Sequence, residues 1–465
     1  QSNRRRKRLF FSISPDFDQS MVFLKNWGEI DERLDPAFYL NIMLLNKNIV
    51  FKSAYPVSTF KQKVNMQRGR FGHRPRNDPR YYDGIYPFIQ TGNIVKASTT
   101  NEKIEFTQTL NEFGLSTSRL FEEKVVVITI AANIGYSAIL DYPACFPDSL
   151  VALTVKDNSI SLEYLNVYIR YIRDYIERLA PQAAQKNINL KQMSKLPVVV
   201  PDMDTQKWIV SIMEKAYTEK IIKENNAQAL LNSIKDYLSQ ELGVIIPSDE
   251  ENTLKNRIFY VSSTKVLGDR FDPVGYSKKS NFYKNPTSIF KRVRFRDIII
   301  SMQTGLPVRQ DFRAENGMYP YYGANGIIGY MDEYTHDGQY LVIGQDGYIG
   351  NHYIINGKFW ASNHNWVIKL NTKLCNYDYV KAFLDFWDYS YLVTGGVIPK
   401  LTQSSVNKIP IVLPELQVQT NIASKINQIY AKARKFEQEA QNAVDIAKQQ
   451  LKKILLGGNL WDLQE

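Results

Sequence analysis

Cysteine is almost missing from this chain: Cys145 and Cys375 are the two thiols in 465 residues. So few thiols exclude a disulfide framework and a metal knuckle, and they fit a reducing cytosol with both residues as small core side chains. Long apolar runs are lacking too. No eighteen consecutive apolar residues occur, and the basic start "RRRKRLFF" gives way to acidic and polar residues, so neither a membrane span nor a secretory leader is expected. A cytoplasmic protein is the expectation. Histidine numbers four, at His73, His336, His352 and His364, with no ligand spacing, which argues against zinc. Acid is in deficit: 47 Asp and Glu face 58 Lys and Arg, a formal charge of +11 that points to a polyanionic partner. What is plentiful is core material, with 44% hydrophobic and 12% aromatic residues.

The chain repeats itself. "ERLDP" (32–36) returns as "DRFDP" (269–273), "YPFIQTGNI" (86–94) as "YPYYGANGI" (319–327), "ANIGYSAIL" (132–140) as "DGYIGNHYII" (346–355), and "MSKLPVVVPDMDTQ" (193–206) as "VNKIPIVLPELQVQ" (406–419). The matches keep their order while their separation shrinks from 237 to 213 residues, the signature of a tandem duplication. Charge is repeated as well. Residues 61–80 carry Lys61, Lys63, Arg68, Arg70, Arg74, Arg76 and Arg80 against Asp78 alone, and read as a mobile basic loop; residues 278–297 are comparably basic.

After "LPVVVP" (196–201) and its counterpart "IPIVLP" (409–414) the pattern turns from strand to helix. "VVVITIAA" (125–132) and "YLVIG" (340–344) are β-branched or aromatic runs that read as buried strands. By contrast, Ile422, Ile426, Ile429, Ala433, Phe436 and Ala440 step by four and three residues, a period of about 3.5 that specifies a long helix with a coiled-coil seam. Residues 205–242 hold a looser series, Ile209, Ile212, Ala216, Leu230 and Ile234, which "TEKIIKENN" interrupts. Two such helices packed antiparallel would hold two globules at opposite ends of a rod. The expected fold class is α+β.

No catalytic centre emerges. "PDMDTQK" (201–207) resembles a nuclease acid pair, but it opens a helix, where Asp202 or Asp204 is expected as the N-cap. "GQDGYIGN" (344–351) lacks the Lys-Ser/Thr of a phosphate loop. Neither a loop for holding a target amino group nor a glycine-rich S-adenosylmethionine site is found.

A duplicated basic domain, each copy followed by a long helix, resembles the DNA-specificity subunit of Type I restriction-modification systems. The residues that carry the resemblance are the "RLDP" and "RFDP" openings, residues 70–94, "YYGANGIIGY" (321–330), "IGQDGYIG" (343–350) and the two helix starts at "LPVVVP" and "IPIVLP". Residues 1–30 are extra to the pattern. The resemblance implies two tandem α/β target recognition domains, each reading half of a bipartite asymmetric site and separated by a pair of long antiparallel coiled-coil helices. The corresponding segments are 1–201 for the first recognition domain with its basic extension, 202–243 for the first spacer helix, 244–256 for a linker, 257–413 for the second recognition domain and 414–458 for the second helix. It further implies double-stranded DNA, methyltransferase subunits and restriction/translocase subunits as partners, no catalysis by this chain, and S-adenosylmethionine, ATP and Mg on the partners only. A free subunit and the recognition portion of a fused restriction-methyltransferase share these features.

Reading a groove needs phosphate clamps together with amide, carboxylate and guanidinium groups that match base edges. Candidates are Lys61, Lys63, Arg68, Arg70, Arg74, Arg76, Gln90, Thr91, Asn93 and Lys186 in the first copy, and Lys291, Arg292, Arg294, Asn325, Gln345, Asp346 and Lys400 in the second. Gln90, Thr91 and Asn93 are expected in one loop, and Lys186 and Lys400 as phosphate contacts.

Overall fold

The computed structural model describes residues 52–72, 78–180, 187–245, 253–266, 276–308, 317–393 and 399–457. The "ERLDP" and "DRFDP" openings, Arg74, Arg76 and Lys186 lie outside the described residues. The chain forms two compact units, one of residues 1–223 with 438–465 and one of residues 224–437. Among the described residues, no helix is long and apolar enough to cross a membrane.

In the first unit, Val125–Thr129 is a five-residue strand buried at every position. It sits between Leu150–Val155 and Ser137–Leu140 in a four-stranded antiparallel sheet whose outer strand is Val64–Arg68. Successive strand side chains point to opposite faces, and two different clusters receive them. Val126, Ile128, Val151 and Leu153 pack with the helix Leu162–Tyr171. Val125, Val127, Leu150 and Ala152 pack with Ile94 and Ala97 of the helix Thr91–Thr100.

The second unit repeats this order with Ile299–Thr304, Asn365–Leu370, His336–Gly344 and His352–Ala361, and adds the hairpin Tyr319–Gly323 and Gly326–Met331 beyond. Leu341, Ile343, Ile368 and Leu370 face the helix Tyr377–Phe386. Gly135 and Gly350, at φ of +81° and +80°, make the same turn in the two units, where the left-handed backbone favours glycine. The copies diverge after their shared parallel bridge, Phe88 to Cys145 and Tyr321 to Trp360. There the first continues as a ten-residue helix, and the second as the hairpin.

Met203–Leu242 and Leu416–Leu455 are the long helices, forty residues each. In the first unit Ile209, Met213 and Ala216 share a core with Val444, Ala447 and Leu451. In the second, Ile234, Leu238 and Leu242 share one with Ile422, Ala423 and Ile426. Early residues of one helix thus meet late residues of the other, which is antiparallel pairing. Lys223 and Glu439 form an ion pair across it in the first unit. Ala433 and Ala440 are 1% exposed, as expected where small side chains let helices approach closely. The first helix continues unbroken through "TEKIIKENN" with Ala227 buried. Its seam differs in detail from the sequence reading, because Met213 is fully buried where Ile212 is half-buried, and Leu231 joins the core beside a half-buried Leu230. Ile429 and Phe436 are half-buried.

Each long helix is fixed to its own domain by one glutamine. Gln206, fully buried, donates to the Ser159 and Pro201 carbonyls at 2.8 Å each and accepts from the Ser161 N–H at 2.9 Å. Gln419, also fully buried, donates to the Leu374 and Pro414 carbonyls and accepts from the Asn376 N–H at 2.9 Å. Ser161 and Asn376 are themselves the N-caps of the helices at Leu162 and Tyr377. Asp202 caps the first long helix by accepting from the Thr205 N–H at 2.9 Å, and that bond, with one from the Thr205 hydroxyl, holds its carboxyl below the usual range. Replacing Gln419 by Leu removes the partner of the buried Pro414 carbonyl and of two less buried loop groups, at Leu374 and Asn376, so destabilisation of about 1–3 kcal/mol is expected. Thermal unfolding of the full chain checks it, and an unchanged melting temperature contradicts it.

Candidate nucleic-acid interface

In the second unit, strands Ile299–Thr304, His336–Gly344 and Asn365–Leu370 end side by side, with Thr304 opposite Trp366 and Gly344 opposite Asn365. The turns leaving that end carry polar side chains and meet in one rim. Gln345 donates from Nε2 to the Thr304 hydroxyl at 3.3 Å and to the Asn363 carbonyl. His364 Nδ1 donates to Asp346 Oδ1 at 2.5 Å. Asp346 forms a backbone bridge with Lys400, and the Leu401 N–H reaches the Gln345 carbonyl at 2.8 Å. Asn351 Nδ2 donates to Asn325 Oδ1 at 2.9 Å, joining the tip of the added hairpin to the same rim. Tyr348, 61% exposed, lies in the turn between. Asn325, Gln345, Asp346 and Lys400 therefore come together.

The matching end of the first unit is built on the same backbone contacts. Ala131 bridges Asn187 as Asp346 bridges Lys400, and the Ile188 N–H reaches the Ile130 carbonyl at 3.0 Å. Its side chains differ. Arg68 Nε donates to the Asp148 carbonyl at 2.5 Å, Arg119 donates to the Arg68 carbonyl at 2.7 Å, and the Arg70 N–H reaches the Phe146 carbonyl at 3.0 Å. Thr91 Oγ1 lies 3.2 Å from the Ser149 hydroxyl. Arg68, Arg70 and Thr91 thus share this rim with Arg119, a cation the sequence reading missed.

Residues 61–80 are not one mobile loop. Phe60–Lys63 is a helical turn and Val64–Arg68 a strand paired along its length with Leu150–Val155. The sequence alternates apolar and polar over Val64, Asn65, Met66 and Gln67, a short strand signal overshadowed by the dense charge flanking it. Lys61 and Lys63 sit at the far end of that strand from Arg68. Lys61 is exposed, whereas Lys63 Nζ is bonded to Asp157 at 3.0 Å and to the Ser159 hydroxyl at 2.7 Å. Asp157, held first by Ser159 and then by Lys63, is pushed down to about 2. Gln90, Thr91 and Asn93 do not form a loop either: they begin the helix Thr91–Thr100, with the Gln90 N–H donating to Asn93 Oδ1 at 2.8 Å in a reciprocal cap. In the second unit, Lys291, Arg292 and Arg294 lie at the strand paired with Pro410–Val412, beside the start of the second long helix and away from the polar rim. All three are exposed, with Arg292 3.3 Å from Asn285 and Arg294 3.8 Å from Asp297. Among the described residues, no group of His, Cys, Asp and Glu could hold a metal ion.

The family described as Type I restriction modification DNA specificity domain matches residues 70–233 and 288–445. A Haemophilus influenzae protein named as a putative type I restriction enzyme specificity subunit is 36% identical over 129 residues, 27% of this chain and 33% of that protein. The Escherichia coli Type I restriction enzyme EcoprrI specificity subunit is 20% identical over 321 residues, 68% of this chain and 74% of that protein. The match thus spans about a third of the Haemophilus relative and about three quarters of the Escherichia one. Among solved structures, a chain from work on complex assembly and conformational transition of the type I R-M system shares the fold at a TM-score of 0.50 and 10% identity, over 86% of this chain and 96% of that one. Two family regions, laid over the two copies and together covering more than half of the residues, show that this chain belongs to the family of Type I restriction modification DNA specificity domains.

Proposed function

We propose that this chain is the DNA-specificity subunit of a restriction-modification complex in the cytoplasm. Each unit reads one half of a bipartite asymmetric site in double-stranded DNA, and partner subunits carry out adenine methylation and restriction. The chain itself is non-catalytic. S-adenosylmethionine belongs to the methyltransferase subunits, and ATP and Mg to the restriction/translocase subunits.

The observation that carries this reading is the repeated strand-end rim on one common backbone, with different side chains on each copy. Exposed guanidinium groups at Arg68 and Arg70 suit phosphates or guanine, whereas the exposed amide of Asn325 suits adenine. Different rims on a shared scaffold fit an asymmetric site.

Duplex binding by the full chain is expected to weaken steeply with salt, with log K falling against log salt at a slope steeper than about −3, since each neutralised phosphate contributes roughly −0.9. A shallower slope contradicts the reading. Arg70→Ala should flatten the slope by roughly 0.9 for each phosphate that the arginine neutralises. Lys63→Met should leave affinity near that of the wild type, because the ammonium is already committed to Asp157 and Ser159. Equal losses from both substitutions would show that the rim is not the DNA-facing surface.

A further inference from the structure

We infer that His364 is a DNA-contacting residue of the second unit, held by Asp346 so that its Nε2 meets an acceptor on the duplex and takes up a proton as it binds. This rests on the DNA-reading function proposed above. The ring is 55% exposed while the Asp346 side chain is 19% exposed, so one nitrogen is anchored inward and the ring edge faces solvent. The His364 backbone is fixed on both sides: its carbonyl accepts from the Gln345 N–H at 2.9 Å, and its N–H donates to the Ser362 hydroxyl at 3.3 Å. Among the described residues, Nε2 has no hydrogen-bond partner.

A carboxylate only accepts, so Nδ1 carries the hydrogen shared with Asp346. In a neutral ring Nε2 is then an acceptor, and it is repelled by guanine N7 and O6 and by phosphate oxygens. With a second proton it becomes a charged donor that suits all of these. Asp346 is the charged group bonded to the ring, and Lys400 pairs with Asp346 through the backbone at this rim. Phosphates arriving with the duplex favour the charged ring. Asp346 is accordingly a positioning residue rather than a reader of bases. In the first unit Ser149 and Ala131 occupy the matching places, so the device belongs to one half of the site only.

The test is the affinity of the full chain for duplex DNA at fixed salt between pH 6 and 8, on its recognised sequence and on random sequence. Wild-type affinity should fall as pH rises, by up to about tenfold per pH unit for one proton linked to binding. His364→Gln should abolish that fall and keep the salt dependence. A fall confined to the recognised sequence assigns Nε2 to a base edge, and an equal fall on random sequence assigns it to phosphate. Titration of the His364 ring by NMR, free and DNA-bound, reads the same proton in the unaltered protein, and an unchanged titration overturns the inference. Parallel pH profiles for wild type and His364→Gln overturn it as well while leaving salt-dependent binding intact. Absence of any salt-dependent binding instead removes the proposed function, and this inference with it.

Discussion

A recognition surface is useful only if its scaffold is rigidly tied to whatever carries it, and here that tie is a buried amide. Gln206 and Gln419 each satisfy two carbonyls and one N–H, and each joins a long helix to the loop that starts the domain's own helix. An unpaired buried peptide group costs about as much as the bond it lacks, so neither loop can shift relative to its helix without breaking several such bonds at once. The attachment is reinforced by Tyr164 and Tyr379, whose hydroxyls donate to the Val199 and Val412 carbonyls at 2.8 and 2.5 Å.

From that anchor outward, the two units share whatever sets position and differ in whatever meets solvent. Phe60 and Phe295 are both fully buried, and their N–H groups reach the Leu196 and Ile409 carbonyls at 2.9 and 2.8 Å. At the other end of the same strands one copy presents arginines and a helix N-terminus, the other amides, a histidine and a hairpin. A scaffold with sheet positions locked by burial on both faces tolerates such change, because turns at strand ends carry little of the core.

The duplication was legible in the sequence because repeated burial demands repeated residue types: the strand runs, the "LPVVVP" and "IPIVLP" starts and the heptad series of the second helix all encode apolar faces. What stayed hidden depends on distant partners. Nothing local reveals that Lys63 is neutralised by Asp157, or that Gln90 and Asn93 cap each other rather than face a ligand. Asp346 and His364 are brought together by a strand and a turn, which residue spacing does not disclose. The glutamines were findable: Gln206 and Gln419 occupy the same place in both copies of a motif whose neighbouring polar residues differ. On the first long helix the seam was misplaced by one residue at two positions, since apolar residues also lie off the seam there, with Ile222 exposed and Leu230 half-buried.

Two independent readers on one repeated scaffold must be exchangeable one at a time. The most direct test exchanges residues 288–413 for the corresponding segment of another family member and maps the methylated sequence in a host supplying the partner subunits. One half of the recognised site should change while the other half is retained. A change in both halves, or in neither, would contradict it.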